Sequence, residues 1–364
     1  AWFATVMVLI RRTAASGLPA RIAILLMGSA LWVLLEWVRT VLFTGFPWLL
    51  LSVSQWQRPL LLQITSITGG SGLSFVLIAF NLGFAFYLYT LWTRRKGRWY
   101  QRISPEFYIA LLLLFASIGY GLQSSGAGSR GQIDGPRIAF VQPNAGAVEK
   151  WDPALARENL EVLADLTTYA QYLGAELVLW PESPTPMAVK GNASMQAWVE
   201  SLSSQTGLPL LIGNIARESR GEEIPPDWYN AVFTVSPETG TDLEDYYAKR
   251  HLVPFGEYVP LARLLPFLRK VVPVPGEFHS GESARPLTFS GDYTEFGKIG
   301  VLICYEDIFP SLARQNALAG ADWHYVATNN IWYGEGAAAR QHAAHSVMRA
   351  VETRRPVVRC GNAG

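Results

Sequence analysis

Residues 298–310, KIGVLICYEDIFP, decide the fold of the second half of this 364-residue chain. The first six residues form an apolar, partly β-branched run with the length of a buried strand, and the run that begins at Pro310 is typical of a helix. Cys304 lies between the two, directly after the strand. A strand that passes into a helix, with a reactive side chain at the junction, indicates a layered α/β domain.

The same alternation continues through the rest of this half. We predict strands at residues 137–142, 175–180, 209–213, 231–235, 298–303 and 324–327, and helices at residues 153–173, 192–206, 310–319 and 336–353. A stretch rich in glycine and serine, residues 124–135, precedes them and is typical of a linker. The sequence therefore predicts a mixed α/β domain over residues 136–364, while periodicity alone does not identify which α/β fold it is.

The first 123 residues contain long apolar runs. Residues 22–43 and 71–92 are longer than the roughly 20 residues that a helix needs to cross a bilayer, and residues 106–122 are near the lower limit. Residues 1–10 resemble the end of a further helix. Core helices of a soluble protein are the alternative. The second run argues against it, because it carries no charge and is followed by basic residues. We therefore predict a partial transmembrane helical domain over residues 1–123.

Charge is divided unevenly between the two halves. Residues 1–124 carry ten basic and two acidic side chains, a net charge of +8, whereas residues 125–364 have a net charge of −7. Within the first apolar run, Glu36 and Arg39 are three residues apart and are expected to pair on one helix face. Short basic loops precede the first run and separate the second from the third. Such loops mark the cytoplasmic side, so the second half is expected outside the cytoplasm.

Composition also excludes several classes of protein. The acidic second half repels phosphate, so nucleic acid is not an expected partner. The two cysteines, Cys304 and Cys360, are too few for a disulfide framework or a cysteine-rich zinc site, and no metal is expected. The chain opens without Met inside an apolar run and stops just after a strand-like stretch, which favours a fragment that lacks both natural ends.

Three reactive side chains follow strand ends: Glu182 in WPES, Lys249 in YAKRH and Cys304 in ICYE. Because ligand sites of α/β sheets gather at the carboxyl ends of strands, we expect this carboxylate, ammonium and thiol to meet. Glu182 would take the thiol proton, and Lys249 would favour the thiolate and then face the developing oxyanion. The backbone N–H of Tyr305 is a candidate second oxyanion donor. This chemistry requires no metal or organic cofactor.

The same segments carry a resemblance to a known family. WPES at 180–183, KRHLVPFGEYVP at 249–260 and GVLICYEDIFP at 300–310 resemble the signature segments of the carbon–nitrogen hydrolase, or nitrilase, superfamily. The second segment is similar to one branch in particular, the bacterial apolipoprotein N-acyltransferases. The resemblance spans nearly the whole chain and includes FTGFPW at 43–48, VQPN at 141–144, KWD at 150–152 and NIWYG at 330–334.

The resemblance implies a four-layer αββα sandwich that follows a multi-helix membrane domain, with an extracytoplasmic active site. It implies that Cys304 is the nucleophile, Glu182 the general base and Lys249 the cation that stabilises the oxyanion. It also implies further active-site residues, namely Glu257, Tyr305, Glu306 and Trp151.

The reaction implied by the resemblance moves a fatty acyl chain from a phospholipid, through a thioester on Cys304, to the N-terminal α-amine of a diacylglyceryl-cysteine lipoprotein. The protein would then lie in the bacterial cytoplasmic (inner) membrane with its catalytic domain on the periplasmic side, and its partners would be the bilayer, the phospholipid and the lipoprotein. A membrane-anchored amidase that passes the acyl group to water uses the same residues and is the alternative. A non-catalytic membrane scaffold is disfavoured because the Glu–Lys–Cys set is intact.

Several other residues have a structural interpretation. Cys360 is expected to be a small buried side chain in a strand-like stretch. His342 and His345 lie three residues apart, but without a third clear metal ligand they are expected to be structural. Arg349 and Glu352 are expected to form an ion pair on one helix face.

Two active-site candidates and one segment retain two interpretations each. Glu257 would act in the site or anchor its own loop, and Glu306 would be functional or a carboxylate at a helix N-terminus. Residues 260–270 carry leucines at helical spacing, namely Leu261, Leu264, Leu265 and Leu268. This segment is expected to be either a helix packed on its own domain or a mobile lid at the lipid interface that admits acyl chains.

Overall fold

The computed structural model describes residues 17–96, 98–128, 135–146, 155–221, 224–262, 277–334 and 336–363, with a few further residues between 2 and 9 and between 264 and 268. The chain divides into two compact units, Ala1–Ile133 and Asp134–Gly364. The first is helical, and the second contains all the strands of the described residues.

Three long helices make up most of the first unit. They are α1 (Leu18–Val41), α2 (Thr65–Thr93, with a break at Gly69) and α3 (Pro105–Gly128); short helical turns lie at Leu42–Thr44, Leu51–Gln55, Pro59–Leu62 and Trp99–Arg102. By length and composition alone, each long helix is able to cross a membrane. The helix α3 ends later than predicted and includes residues 124–128 of the expected linker. No proline interrupts its hydrogen-bond ladder before Pro136, so the helix propagates through these small residues.

The three helices pack around a small apolar core. It contains Leu25 of α1 together with Ile78, Ala79 and Leu82 of α2. Gly83 allows α3 to approach closely, because a Cβ atom at this position would lie 2.9 Å from Cβ of Ala110.

Charged side chains of this unit contact other segments and do not pair with each other on one helix face. Arg21 near the start of α1 lies 3.3 Å from the buried carboxylate of Glu106 at the start of α3, so these two helices begin at the same end of the unit. The expected pair of Glu36 with Arg39 is wrong. Instead, Glu36 Oε1 accepts the backbone N–H of Leu51 at 2.6 Å and Arg39 donates to the carbonyl of Leu49 at 3.4 Å. The buried carboxylate of Glu36 and the backbone N–H of Leu51 satisfy each other, because the first N–H groups of the helical turn Leu51–Gln55 have no acceptor within that turn.

The second unit contains two sheets and four helices within the described ranges. The strands are β1 (Ile138–Phe140), β2 (Leu177–Trp180), β3 (Leu210–Glu218), β4 (Asp227–Ser236), β5 (Gly240–Thr241), β6 (Tyr247–Ala248), β7 (Ile299–Ile303), β8 (Trp323–Thr328) and β9 (Val357–Gly361). The helices are α4 (Ala156–Tyr172), α5 (Ala193–Thr206), α6 (Pro310–Leu318) and α7 (Ala338–Thr353).

The two sheets differ in size and direction. The larger sheet has the order β1-β2-β3-β4-β5, with β6 also paired to β4; its first three strands are parallel and β4 runs antiparallel to β3, β5 and β6. The smaller sheet is β7-β8-β9 and is entirely parallel. The strands β3 and β4 are longer than predicted because they pair over nine residues as a hairpin. The paired residues include polar ones, which a prediction based on apolar runs left outside the strands.

Four layers result from this arrangement. One face of the larger sheet packs on α4 and α5 through residues such as Trp180, Leu163 and Val199. Its other face packs on the smaller sheet, where Leu179 and Val301 lie in one core. The opposite face of the smaller sheet is covered by α6. The αββα sandwich is therefore confirmed, and the carboxyl ends of β2, β7 and β8 carry the segments that follow with Glu182, Cys304 and Asn329.

Candidate active site

Glu182 lies two residues beyond the fully buried end of β2. Its Oε1 accepts a hydrogen bond of 2.8 Å from Nδ2 of Asn230 and lies 3.5 Å from Nζ of Lys249. The carbonyl of Trp180, at the end of the strand, accepts the hydroxyl of Tyr325 from the facing sheet. The carboxylate is therefore held on a short rigid segment, with most of its surface covered by protein.

Lys249 follows directly after β6. Its backbone N–H donates to the carbonyl of Asn230 at 2.8 Å, which fixes the residue against β4. Its side chain is only 1% exposed and lies between two carboxylates, with Nζ 2.7 Å from Oε1 of Glu257. Burial by itself would lower the pKa of Lys249, but the charges of Glu257 and Glu182 outweigh it and raise the pKa. The side chain is therefore a permanent cation at physiological pH.

Glu257 has two contacts with its own loop in addition to the lysine. Its Oε2 accepts the backbone N–H of Val253 at 2.8 Å, and its carbonyl accepts the N–H of Phe278 at 3.0 Å. Nδ2 of Asn230 lies 3.2 Å from Oε1 of Glu257. The carboxylate therefore anchors its loop and also contacts Lys249.

Asn230 is a site residue that the sequence analysis did not single out. It lies within the buried part of β4, and its one amide nitrogen is shared by Glu182 and Glu257. A buried amide in the apolar run YNAVFTV is the signal that could have identified it, since a buried polar side chain requires partners.

Cys304 begins a short 3₁₀ turn, Cys304–Ile308, at the end of β7, with a φ of 49°. Cys304 is half-buried, and Thr328 and the backbone N–H of Asn329 are neighbouring groups that lower the pKa of its thiol. Burial and the charge of Glu182 raise the pKa of Cys304 to about 12, while Lys249 and these two donors oppose the rise. At rest the group is therefore a neutral thiol, and Glu182 is a carboxylate whose charge it feels.

Glu306 is fully buried and accepts four hydrogen bonds. Its Oε2 accepts the N–H of Ile303 and the hydroxyl of Tyr247, both at 2.7 Å. Its Oε1 accepts the N–H groups of Arg250 at 2.7 Å and His251 at 3.0 Å. Burial raises the pKa of Glu306 against these donors. The carboxylate therefore connects the end of β7, just before Cys304, to the loop that begins at Lys249. It also lies in the first turn after β7.

Tyr305 packs among aromatic rings directly after Cys304. Its ring centroid lies 5.8 Å from that of His251 and 5.1 Å from that of Phe309. Burial raises the pKa of its hydroxyl to about 12, so the group stays neutral. Trp151, with its neighbours Lys150 and Asp152, lies outside the described residues.

Residues 260–270 do not form the continuous amphipathic helix that their spacing predicts, as far as the structure describes them. Leu261 has a positive φ of 59°, which a regular helix does not contain. Leu264 is 77% exposed and Phe267 is also exposed, so neither packs on the domain. Arg263, Leu265, Pro266, Arg269 and Lys270 lie outside the described residues. Leu261 and Leu264 are therefore not packed on the domain, whereas Leu268 is half-buried.

The remaining candidates have the expected structural contacts. Cys360 is buried between the sheets with Sγ 3.3 Å from the carbonyl of Leu179. Arg349 pairs with Glu352 at 2.9 Å. His342 is buried against Asp307, with 2.9 Å between Nε2 and Oδ1. Within the described residues, no group of three His, Cys, Asp or Glu side chains is arranged to hold a metal ion.

Two family models match this chain. Residues 137–364, more than half of the chain, match carbon–nitrogen hydrolase. Residues 1–83 match the apolipoprotein N-acyltransferase N-terminal domain.

Individual relatives agree with these matches. An apolipoprotein N-acyltransferase of Geobacter metallireducens is 35% identical over 362 residues, which cover 99% of this chain and 66% of the relative. One of Brucella suis biovar 1 is 33% identical over 351 residues, with 94% and 62% covered. The chain thus spans less than two thirds of the length of these curated relatives.

A solved amidase from Nesterenkonia sp. is similar to this chain with a TM-score of 0.42, 20% identity, and coverage of 63% of this chain and 77% of that one. Because the match over residues 137–364 covers more than half of the sequence, this chain belongs to the carbon–nitrogen hydrolase family.

Proposed function

We propose that this chain carries out the reaction of an apolipoprotein N-acyltransferase, with a fatty acyl chain passing from a phospholipid through a Cys304 thioester to the α-amine of a diacylglyceryl-cysteine lipoprotein. The observation that carries the proposal is the buried set of Lys249 between Glu182 and Glu257, close to the thiol at the end of β7. The match of residues 1–83 to the N-terminal domain of these acyltransferases supports it.

In the first half-reaction, Glu182 removes the proton of the Cys304 thiol as the sulfur attacks the ester carbonyl of the phospholipid. The carbonyl oxygen becomes an oxyanion that faces the ammonium of Lys249 and the backbone N–H of Tyr305. When the intermediate collapses, the carbon–oxygen bond breaks and the lysophospholipid oxygen takes the proton from Glu182. The products are a thioester on Cys304, a lysophospholipid and an ionised Glu182.

In the second half-reaction, the α-amine of the lipoprotein attacks the thioester carbonyl and loses a proton to Glu182. The oxyanion forms again beside Lys249, and the carbon–sulfur bond breaks because thiolate is a better leaving group than amine. The thiolate then recovers the proton from Glu182. The acyl chain is now an amide, and both Cys304 and Glu182 have returned to their resting states.

The other residues of the site act by holding this geometry. Glu257 pairs with Lys249 at the shorter distance and stabilises its positive charge. Glu182 is therefore not needed for that purpose. Glu306 fixes the loop that carries Lys249 relative to the strand that carries Cys304. We also assign Tyr305 to the site through its amide, and Trp151 through the family resemblance.

The chain is further proposed to be a membrane protein of the bacterial cytoplasmic membrane, with its α/β domain on the periplasmic side. The three helices that are long and apolar enough to span, and the basic loops before the first and between the second and third, support this orientation. We propose a transmembrane domain over residues 1–123, a linker over 124–135 shortened at its start by α3, and a catalytic domain over 136–364.

The exposed Leu261 and Leu264 would serve as part of the lid at the lipid surface.

The acceptor is the point that separates this reaction from hydrolysis. The experiment forms the acyl-enzyme in detergent micelles with a phospholipid whose acyl chains are labelled, and then adds either buffer or a synthetic diacylated lipopeptide. We expect the label to move rapidly to the lipopeptide amine and only slowly to free fatty acid. Equal rates of release with and without the lipopeptide would favour the amidase instead, and a peptide with an acetylated α-amine is the control acceptor.

A further inference from the structure

The backbone of Cys304 has a conformation that non-glycine residues rarely adopt. Its φ of 49° lies in the left-handed region, although the residue has a side chain and follows a regular strand. Such a conformation persists only where surrounding contacts determine it. The contacts that hold this backbone therefore decide where the sulfur lies.

One of those contacts comes from the buried ring of His342 in α7. Its Nε2 lies 3.1 Å from the carbonyl oxygen of Cys304 and 2.9 Å from Oδ1 of Asp307. The carbonyl oxygen is a hydrogen-bond acceptor, so Nε2 carries the proton and donates to it, and the carboxylate of Asp307 lies beside this nitrogen as a negative charge. The carbonyl of the strained residue thus has a donor that belongs to neither its strand nor its turn.

The other nitrogen of the same ring faces the segment that contacts the sulfur. Nδ1 lies 3.0 Å from Oδ1 of Asn330 and 2.7 Å from Nη2 of Arg359. Asn330 directly follows Asn329, and its Oδ1 accepts the hydroxyl of Thr328; Thr328 and the backbone N–H of Asn329 are the neighbours that lower the pKa of Cys304. One imidazole therefore contacts both the backbone of the nucleophile and the segment that holds its side chain.

The ring is itself held in place by buried charge. Asp307 is completely buried and also pairs with Arg359, and its Oδ2 accepts the hydroxyl of Ser346 at 2.7 Å. Burial alone would raise the pKa of Asp307, but the neighbouring His342 and Arg359 hold it below its usual value. The carboxylate is thus ionised and orients the imidazole, as a carboxylate commonly does for a functional histidine.

We propose that His342 is a positioning residue for the nucleophile: its ring holds the strained carbonyl of Cys304 and the Thr328–Asn330 segment together, so that the sulfur faces Lys249 and Glu182. It touches no reacting atom and acts only through Cys304. The inference rests on the proposed function in one respect, namely that Cys304 is the residue that becomes acylated.

The test uses the full chain in detergent and an activated ester, 4-nitrophenyl octanoate, which reports acylation without a phospholipid or a lipoprotein. The release of nitrophenolate gives two separate quantities, the rate constant of acylation and the amplitude of the first turnover. A purely structural role for His342 would reduce the amplitude, because less protein is folded, and leave the rate constant of the folded fraction unchanged. A positioning role lowers the rate constant itself.

For His342→Leu we expect the rate constant at saturating ester to fall by about 10²-fold, the scale of a displacement near 1 Å at a reacting centre. His342→Gln, whose terminal amide can donate from the position of Nε2, should recover most of the rate. His324→Leu makes the same change at a buried histidine of β8 and should retain the rate constant. If His342→Leu does not fold, the shorter amide in His342→Asn is compared with His342→Gln instead.

The outcomes separate the two proposals. If wild-type protein gives no acyl-Cys304, the proposed function fails and the inference fails with it. If wild-type protein is acylated and His342→Leu, or its substitute His342→Asn, reacts with an unchanged rate constant, the inference alone is overturned. A loss of rate that His342→Gln does not recover would also contradict it, because the donor at Nε2 would then not be what matters.

Discussion

Nζ of Lys249 lies 2.7 Å from Oε1 of Glu257, whereas its distance to Oε1 of Glu182 is 3.5 Å. The lysine is therefore neutralised chiefly by a carboxylate that also anchors its own loop through Val253. Glu182 remains the less tightly paired of the two carboxylates. This difference assigns separate tasks to two acidic groups that share one donor, Asn230.

The first prediction concerns Glu257. In Glu257→Gln the short pair to Lys249 loses its charge, so the lysine should turn toward Glu182 and weaken it as a base. We expect acyl transfer to fall by roughly 10²-fold, comparable to the loss of one oxyanion-stabilising group. The measurement is the steady-state rate with phospholipid and lipopeptide.

The control for this change is Glu218→Gln. It removes the charge from another Glu–Lys pair, in which Lys190 lies 2.9 Å from Glu218, away from the candidate site. Its activity should match that of the wild type. Equal activities of Glu257→Gln and Glu218→Gln would show that the 2.7 Å pair has no part in the reaction.

The second prediction separates the reactivity of the thiol from catalysis. Because the pKa of Cys304 is raised to about 12, the thiolate fraction, and with it the rate of alkylation by iodoacetamide, should rise about tenfold per pH unit from 7 to 10. Glu182→Gln removes a charge that raises this pKa, so alkylation at pH 8 should become faster although acyl transfer is lost. Lys249→Met removes a charge that lowers the pKa, so alkylation should become slower.

Peptide mass spectrometry measures the alkylation, because it distinguishes Cys304 from the buried Cys360. If Glu182→Gln and Lys249→Met changed the rate in the same direction, Cys304 would not lie in the field of both groups. A rate that levelled off below pH 8 would instead show a thiolate already formed at rest.

The third prediction concerns Asn230. Asn230→Leu keeps a similar volume but leaves Glu182 and Glu257 without their shared donor, and two carboxylates near one lysine then repel each other more strongly. We expect transfer to fall by roughly 10²-fold, measured as the steady-state rate with phospholipid and lipopeptide. A variant that keeps the wild-type rate would show that this amide does not hold the two carboxylates in place for the reaction.

The fourth prediction concerns stability. Burial lowers the pKa of His324 to about 4, below the value near 6.5 expected in the unfolded chain. Between these two pH values the unfolded chain binds a proton that the folded protein does not, so stability is present above pH 6.5 and is lost as the pH falls toward 4. The loss is on the order of 3 kcal/mol for this one group.

Thermal unfolding of the full chain in detergent between pH 7 and 4 measures this effect. His324→Leu should flatten the fall of the midpoint temperature below pH 6.5. It should not abolish it, because burial also lowers the pKa of His345 to about 3. An unchanged slope in His324→Leu would mean that His324 is not a buried neutral group.

The positions of Glu182 and Cys304 could be predicted from the sequence because each follows a buried apolar run with the length of a parallel strand, and ligand sites of α/β folds gather at the carboxyl ends of such strands. Lys249 could not be placed in this way, because it follows β6, a two-residue strand that runs antiparallel to β4 and that the apolar pattern did not predict. The four-layer arrangement was predicted only by the family resemblance, because apolar periodicity identifies helices and strands but not how they stack.

Other parts of the site could not be predicted, because they depend on contacts between distant segments. Glu306 resembles an ordinary first-turn carboxylate in the sequence, and its bonds to Arg250 and His251 exist only because β6 brings their loop to β7. Asn230 lies inside an apolar strand, and no neighbouring residue in the sequence indicates its contact with Glu182. The role proposed for His342 likewise depends on α7 lying beneath the turn at Cys304.

The formation of a thioester at Cys304 is tested most directly by the intact mass of the full chain after incubation with one phospholipid of defined acyl composition. We predict a mass increase equal to one acyl group, absent in Cys304→Ala and removed by neutral hydroxylamine, which cleaves thioesters. An acyl adduct that persists in Cys304→Ala, or wild-type protein that turns over phospholipid without ever gaining mass, would contradict the assignment of Cys304 as the residue that carries the acyl chain.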